Sequence, residues 1–130
     1  MNRNDLLLAL RRATADLYLM SETDAPFEGF FWVSSQDFSP AHAQSLWGKS
    51  APTSQSLDTF FAPLIQTKDW HTPEDQEQVR RFAHLKRLLE KNLNDIAVYL
   101  LPQGEEKICW IVGTYAPREY LLLRTFRVDT

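Results

Sequence analysis

Three strand-like segments at the end of the sequence constrain the fold more than any other feature. They cover residues 96–101, 107–114 and 120–128, and each is rich in β-branched and aromatic side chains. The connections between them, residues 102–105 and 116–119, are only long enough for tight turns. The three segments are therefore predicted to form an antiparallel meander.

Both faces of this sheet are expected to be covered. Residues 108–112 and 120–123 are almost entirely apolar at consecutive positions. A sheet with one face in water would instead alternate apolar and polar residues. We therefore expect helices on both sides of the sheet.

A long helix is predicted to start at Thr72, before the meander. Thr72 supplies an N-cap hydroxyl, Pro73 suits the first helical position, and Glu74 and Asp75 favour the positive end of the helix dipole. The helix should end within residues 92–95. Its apolar stripe consists of Val79, Phe82, Leu85, Leu89 and Leu93.

The N-terminal part of the chain is predicted to be a helix, a polar loop and a strand. Asn2 or Asn4 can cap the helix, which should extend to about Tyr18. Residues 21–24 are polar and doubly acidic, and Pro26 disfavours a helix just before it, so an exposed loop should precede a strand at residues 28–34. The apolar face of the helix consists of Leu6, Leu10, Ala13 and Leu17.

The middle of the chain is less regular. Residues 35–56 are rich in Ser, Gln, Ala and Pro and are interpreted as a surface excursion with one short helix at residues 40–47. A second short helix is expected at residues 57–65, where Pro63 would distort it. Together these elements predict a single α+β domain over residues 1–130, with a roughly four-stranded, mainly antiparallel sheet.

Composition and net charge limit the partners, the disulfide bonding and the location expected for the protein. The 130 residues carry a formal net charge of -3, which argues against nucleic acid as a direct partner. A single cysteine, Cys109, excludes an internal disulfide and is interpreted as a buried thiol. The sequence shows neither a signal peptide nor an apolar stretch of membrane-spanning length, so we expect a cytoplasmic protein. We also expect that the protein has no cofactor.

Three other types of chemistry are considered: zinc binding, hydrolysis and nucleic-acid binding. His42, His71 and His84 do not have the spacing of zinc ligands. Ser21 and Glu22 could join His71 in a small hydrolase, although nothing in their spacing requires it. Basic residues of the long helix alternate with Glu77 and Glu90 and fit a solvated face better than a nucleic-acid patch; they are Arg80, Arg81, Lys86, Arg87 and Lys91.

One set of residues occurs in a characteristic order along nearly the whole chain. Besides the long helix, the set consists of Met20, Ser21, Glu22, Pro26, Phe27, Glu28, Phe31, Trp32, Asp69, Trp70, Val128, Asp129 and Thr130. In this order the set resembles the nuclease A inhibitor family of cyanobacteria and other bacteria. The resemblance implies an α-β-α sandwich, likened to the pathogenesis-related-1 fold, that is not an enzyme. It further implies inhibition of a sugar-non-specific endonuclease by plugging of the metal-containing active site.

The resemblance also implies contact residues, each with a simpler alternative. Glu22 would pair with an arginine of the nuclease, or it is a solvated loop acid. Asp69 and Trp70 would form an interface anchor, or Asp69 closes a turn while Trp70 packs beneath the loop. The terminal carboxylate of Thr130 would reach the nuclease's divalent metal, or the chain end is frayed. The free protein is expected to be a monomer, and an interaction module for another partner remains the alternative function.

Overall fold

The computed structural model describes residues 2–15, 17–19, 25–34, 53–103 and 106–128. Its helices are α1 (Arg3–Thr14), α2 (Leu57–Phe61) and α3 (Pro73–Asn92). Its strands are β1 (Tyr18–Leu19), β2 (Ala25–Pro26), β3 (Glu28–Ser34), β4 (Thr53–Ser56), β5 (Asn94–Gln103), β6 (Glu106–Ala116) and β7 (Glu119–Val128). The predicted α+β class is confirmed. None of the described helices has the length and apolarity that a membrane span requires.

The main sheet has five strands in the order β3-β7-β6-β5-β4, and every neighbouring pair is antiparallel. The meander β5-β6-β7 and the strand β3 are as predicted, although β5 continues through Pro102 and Gln103, which were expected in a turn. The fifth strand, β4, falls inside the predicted surface excursion. Its sequence is polar and largely exposed, so it joins the edge through backbone pairing with β5, from Thr53 opposite Leu100 to Ser56 opposite Ala97. Hydrophobic periodicity does not detect such a strand.

One face of the sheet carries the larger core, to which all three described helices contribute. The predicted stripes of α1 and α3 are buried there, apart from Val79, which is buried outside this cluster; the sheet contributes Val98, Cys109 and Ile111. Phe82 of α3 meets the rings of Phe27 and Phe61 edge-on, with centroids 6.2 and 6.4 Å away. Aromatic pairs of this geometry add stability beyond the area they bury.

The other face of the sheet is also buried. Leu101, Trp110, Val112 and Leu122 form a second cluster on it, and all are at most 9% exposed. This agrees with the consecutive apolar residues in the sequence. The helix predicted at residues 40–47 lies outside the described residues, so a helical layer on this face stays a prediction.

Two helices are shorter than the sequence predicted. Helix α1 ends at Thr14 rather than near Tyr18, and Arg81 of α3 donates to the carbonyl oxygens of Ala13 and Ala15. These carbonyls are therefore satisfied without a further helical turn. Helix α2 ends at Phe61 rather than Ile65, because Pro63 has no N–H to donate to the Thr59 carbonyl. The N–H groups of Leu64 and Ile65 both donate to the Phe61 carbonyl in the turn that follows.

Candidate functional site

A tight turn between α2 and α3 carries the candidate residues Asp69 and Trp70. The N–H of His71 donates to the carbonyl of Lys68 at 3.0 Å, which closes a four-residue turn with Asp69 and Trp70 at its two corners. The same turn is closed a second time, because the N–H of Lys68 donates to Nδ1 of His71 at 3.2 Å. Two hydrogen bonds therefore fix the backbone that carries the candidate pair.

Trp70 projects into solvent and is 67% exposed. Its ring meets the His71 ring edge-on, with centroids 4.5 Å apart and an interplanar angle of 83°. The Nζ of Lys68 lies 5.6 Å from the centroid of the same ring, within the range of a cation–π contact. The alternative in which Trp70 packs beneath the loop is wrong, because its large apolar surface is held in the open between two neighbours.

Asp69 is exposed beside this ring. Within the described ranges no ion pair involves its carboxylate, and the hydrogen bonds that close the turn come from Lys68 and His71. The carboxylate is thus available to a partner, and the turn closure predicted for it is done by its neighbours.

The start of α3 anchors this turn to the scaffold. The Thr72 hydroxyl accepts from the N–H of Asp75 at 3.1 Å, and the Asp75 carboxylate accepts from the N–H of Thr72 at 3.0 Å. This capping box confirms the predicted helix start. The hydrogen bonds from Thr72 stabilise the carboxylate and lower the pKa of Asp75. Trp70 therefore stands two residues before the N-cap of a helix of 20 residues.

The first loop, which contains the candidate Glu22, lies outside the described residues, but both of its flanks are fixed. Leu19 pairs with Ala25 and Tyr18 pairs with Pro26 in an antiparallel ladder. The chain therefore enters and leaves this loop at one place. The sequence did not predict this ladder, because it places Tyr18 at the end of the first helix.

The candidate Thr130 also lies outside the described residues, two positions beyond the end of β7. Val128 still pairs with Glu106 of β6, so strand pairing reaches the last described residue. The chain is thus held by the sheet up to this point.

The flanks of the first loop lie at the same end of the sheet as Val128. Strand β3 runs antiparallel to β7 with Glu28 opposite Arg124, so the residues before Glu28 run alongside the C-terminal part of β7. Strand β2, at the base of the loop, accordingly contacts β7.

Helix α3 brings the Trp70 turn toward that end as well. Leu93, the residue that caps its C-terminus, packs against Gly113, close to the end of β6 that is opposite to Glu106 and Val128. The helix then passes Phe27 at Phe82 and continues for about 15 Å to Thr72, at 1.5 Å per residue. The direction of α3 therefore places its N-terminus on the side of the sheet where β7 ends.

Other predicted candidates form no common site within the described part of the chain. Nδ1 of His71 is occupied by the Lys68 N–H, and the Ser21 and Glu22 of the hydrolase hypothesis lie outside the described residues. Among the described residues, no group of three or more His, Cys, Asp and Glu side chains could hold a metal ion. Sequence analysis missed the roles of Lys68 and His71, whose only signal is their separation by three positions.

The chain matches a known protein family. The family model described as "Nuclease A inhibitor-like protein" matches residues 4–130, nearly the whole chain. A comparison with curated protein sequences finds no match.

Proposed function

Because the chain belongs to the nuclease A inhibitor-like family, whose members inhibit nucleases, we propose that it blocks a sugar-non-specific, metal-dependent endonuclease by occupying the active site. The observation that carries the proposal is the common location described above. The base of the first loop and the end of β7 lie at the same end of the sheet, and the direction of α3 supports the placing of the Trp70 turn toward that end. Glu22, Asp69, Trp70 and Thr130 would act from these three places on one partner.

The chemistry of the acids suits such a partner. A nuclease site holds a hard divalent cation and basic side chains that bind phosphate, and carboxylate oxygens are ligands for both. Glu22 would pair with an arginine in a two-pronged hydrogen bond, where phosphate oxygens otherwise bind. The carboxylate of Thr130 would coordinate the nuclease's metal. Neither group offers a bond that the nuclease can cleave, so the site would be filled without turnover.

Trp70 would supply the apolar part of the interface. Exposed tryptophans are frequent anchors of protein interfaces, and burying one on a partner yields a large share of the binding free energy. Its ring is already held between Lys68 and His71, so little rotamer entropy is lost on binding. Asp69 would place a carboxylate at the edge of the same contact.

An exposed, restrained tryptophan also fits the alternative of an interaction module for another kind of protein. The two hypotheses differ in the role of the acids. In the nuclease hypothesis, the Thr130 carboxylate binds the metal and Glu22 binds an arginine that otherwise contacts phosphate. A module of general type would depend mainly on the Trp70 turn.

The test compares extensions at the two ends of the chain in a nuclease inhibition assay. A C-terminal tag converts the Thr130 carboxylate into a peptide carbonyl and adds bulk beyond β7, so it should weaken inhibition strongly. An N-terminal tag, placed before the Asn2 cap of α1, should be harmless. Deleting Thr130 moves the carboxylate by up to ~3.5 Å, which is more than a magnesium–oxygen bond of ~2.1 Å tolerates.

A substitution in the first loop completes the test. Glu22→Gln should weaken binding by about 2 to 5 kcal/mol, the usual loss when one partner of a buried charge pair is removed. Circular dichroism should show an unchanged fold in every variant. Equal inhibition by the two tagged forms, or by Glu22→Gln and the parent protein, would exclude a role for these carboxylates.

A further inference from the structure

A groove of about 490 Å³ runs between α1 and the N-terminal half of α3. It exists because α1 presents the small side chains of Ala9 and Ala13 to α3, where larger residues would fill the space. Its volume lies within the range of small-molecule sites, which is roughly 300 to 1,000 Å³. The groove is therefore large enough for a ligand of about nucleotide size.

The two helices that form the groove are fixed relative to each other. The guanidinium of Arg3, at the start of α1, pairs with Glu119 at the start of β7. Near the other end of α1, Arg81 of α3 donates to the Ala13 carbonyl at 3.3 Å and to the Ala15 carbonyl. The groove walls thus do not depend on a ligand for their position.

The charge in the groove is opposite to that of the whole chain. Among the described residues, Arg12, Arg80 and Arg81 line it together with one acid, Glu77, which gives a formal excess of two positive charges with histidine counted as uncharged. The chain as a whole carries a net charge of -3.

The contacts of these residues show which of them are available to a ligand. Arg81 is engaged by the carbonyls of α1, and Arg80 donates to Glu77 at 2.5 and 3.1 Å from an exposed position. Within the part of the chain that the structure describes, Arg12 and His84 take part in no ion pair. Arg12 on one wall is therefore free of ion pairs with the described residues, and Arg80 on the other wall uses two of its five N–H groups for Glu77 and keeps the others for a ligand.

The remaining basic residues of α3 do not line the groove. Lys86 pairs with Asp58 of α2 at 2.7 Å and lies 4.0 Å from Glu90, so its charge is neutralised within the fold. Only Arg80 and Arg81 of the basic series on α3 line the groove, where Arg12 joins them. Because α1 contributes Arg12, the sequence of α3 alone does not reveal the cluster.

We propose that this groove binds a phosphate-bearing small molecule, with Arg12 and Arg80 contacting the phosphate oxygens from opposite walls. A phosphate monoester carries a charge of about -1.5 to -2 at neutral pH, which matches the excess in the groove. Arginine binds such a group through two parallel N–H donors. Glu77 opposes the binding through its negative charge.

The test is a titration followed by NMR of the backbone amides and of the His84 ring, without any nuclease present. Inorganic phosphate and a nucleoside 5′-monophosphate are added separately at constant ionic strength, with chloride as the reference. We expect saturable shifts in both α1 and α3 with a dissociation constant of about 1 mM or lower. Equal affinities for inorganic phosphate and the nucleotide would show that the site recognises the phosphate group alone. A higher affinity for the nucleotide would show that the groove also contacts the nucleoside.

Three variants make the test specific. Arg12→Gln should weaken binding at least ~10-fold, because hydrogen bonds to charged groups are lost. Arg11→Gln removes the same charge from the neighbouring position, which does not line the groove, and should have little effect. Glu77→Gln should tighten binding, a gain that damage to the fold cannot produce. The proposal is overturned by the absence of saturable shifts up to about 20 mM, by equal effects of Arg12→Gln and Arg11→Gln, or by weaker binding to Glu77→Gln.

Discussion

The side chain of His71 holds the backbone of Lys68, whose N–H donates to Nδ1 of the imidazole at 3.2 Å. The carbonyl of Lys68 in turn accepts from the N–H of His71 at 3.0 Å. Lys68 and His71 are also the residues that flank the Trp70 ring. The same two residues therefore fix both the turn and the exposed side chain at its corner, before any partner is bound.

The first prediction concerns Trp70. Trp70→Ala should lower the affinity for the nuclease at least ~30-fold, which corresponds to about 2 kcal/mol for an interface anchor. The free energy of unfolding should change by about 0.5 kcal/mol or less, because the ring is mostly exposed. Leu8, 47% exposed on α1, provides the matched control. Leu8→Ala should leave the affinity for the nuclease unchanged. Isothermal titration calorimetry measures both variants, and equal affinities would refute the role of Trp70.

The second prediction concerns His71. His71→Phe keeps an aromatic ring beside Trp70 but removes the acceptor for the Lys68 N–H. Hydrogen exchange of the Lys68 amide should become about 5-fold faster, as expected for the loss of roughly 1 kcal/mol. His84→Phe replaces an exposed histidine of α3 that takes no part in this hydrogen bond, and it should not alter this amide. An unchanged exchange rate in His71→Phe would show that the imidazole does not hold the turn.

The third prediction is a pH dependence that arises from the capping box. The pKa of Asp75 is lowered by the hydrogen bonds from Thr72, so the folded state binds a proton less readily than the unfolded state. The stabilisation by Asp75 should be complete above its ordinary pKa of 3.8 and should disappear as the pH falls through the lowered value.

Urea unfolding of the parent protein and of Asp75→Ala from pH 7 to about 2 measures this contribution. The difference between their midpoints should be constant near neutrality and should shrink in acid. Glu74→Ala, in the same helical turn but outside the capping box, should not show this profile. A difference between the parent and Asp75→Ala that did not depend on pH would contradict the assignment.

The fourth prediction concerns the close approach of α3 to the sheet. A Cβ at Gly113 would lie 2.8 Å from both Cβ and Cδ1 of Leu93, and 3.2 Å from Cγ1 of Ile96. Gly113→Ala should therefore destabilise the domain by about 1 to 3 kcal/mol through overpacking. Adding Leu93→Ala removes one of the two closest atoms, so the double variant should lose less stability than the sum of the single changes. Strict additivity in urea unfolding would exclude the clash.

Local signals in the sequence predicted most of the fold. The hydroxyl of Thr72, Pro73 and the following acids define the start of α3 without reference to the rest of the chain, and the structure confirms the capping box. The buried stripes of α1 and α3 follow from helical periodicity. These features depend on neighbours in the sequence, and a single sequence therefore reveals them.

Features that depend on distant contacts could not be predicted. Strand β4 is polar and is recruited by the backbone of β5, and α1 ends early because Arg81, far along the chain, satisfies its last carbonyls. The candidate pair Asp69 and Trp70 was identified by resemblance, but the exposure of Trp70 and the clamp made by His71 required the structure. Glu22 and Thr130 lie outside the described residues and remain predictions.

The most direct test of the central claim is a titration of a sugar-non-specific, metal-dependent nuclease with this protein, using a DNA and an RNA substrate in parallel. Because one active site cleaves both substrates, a protein that fills it should abolish both activities together. We predict a linear loss of both activities that ends sharply at one equivalent, with the free protein monomeric in size-exclusion chromatography. Undiminished cleavage at a large molar excess over several such nucleases, or the loss of only one of the two activities, would contradict the account.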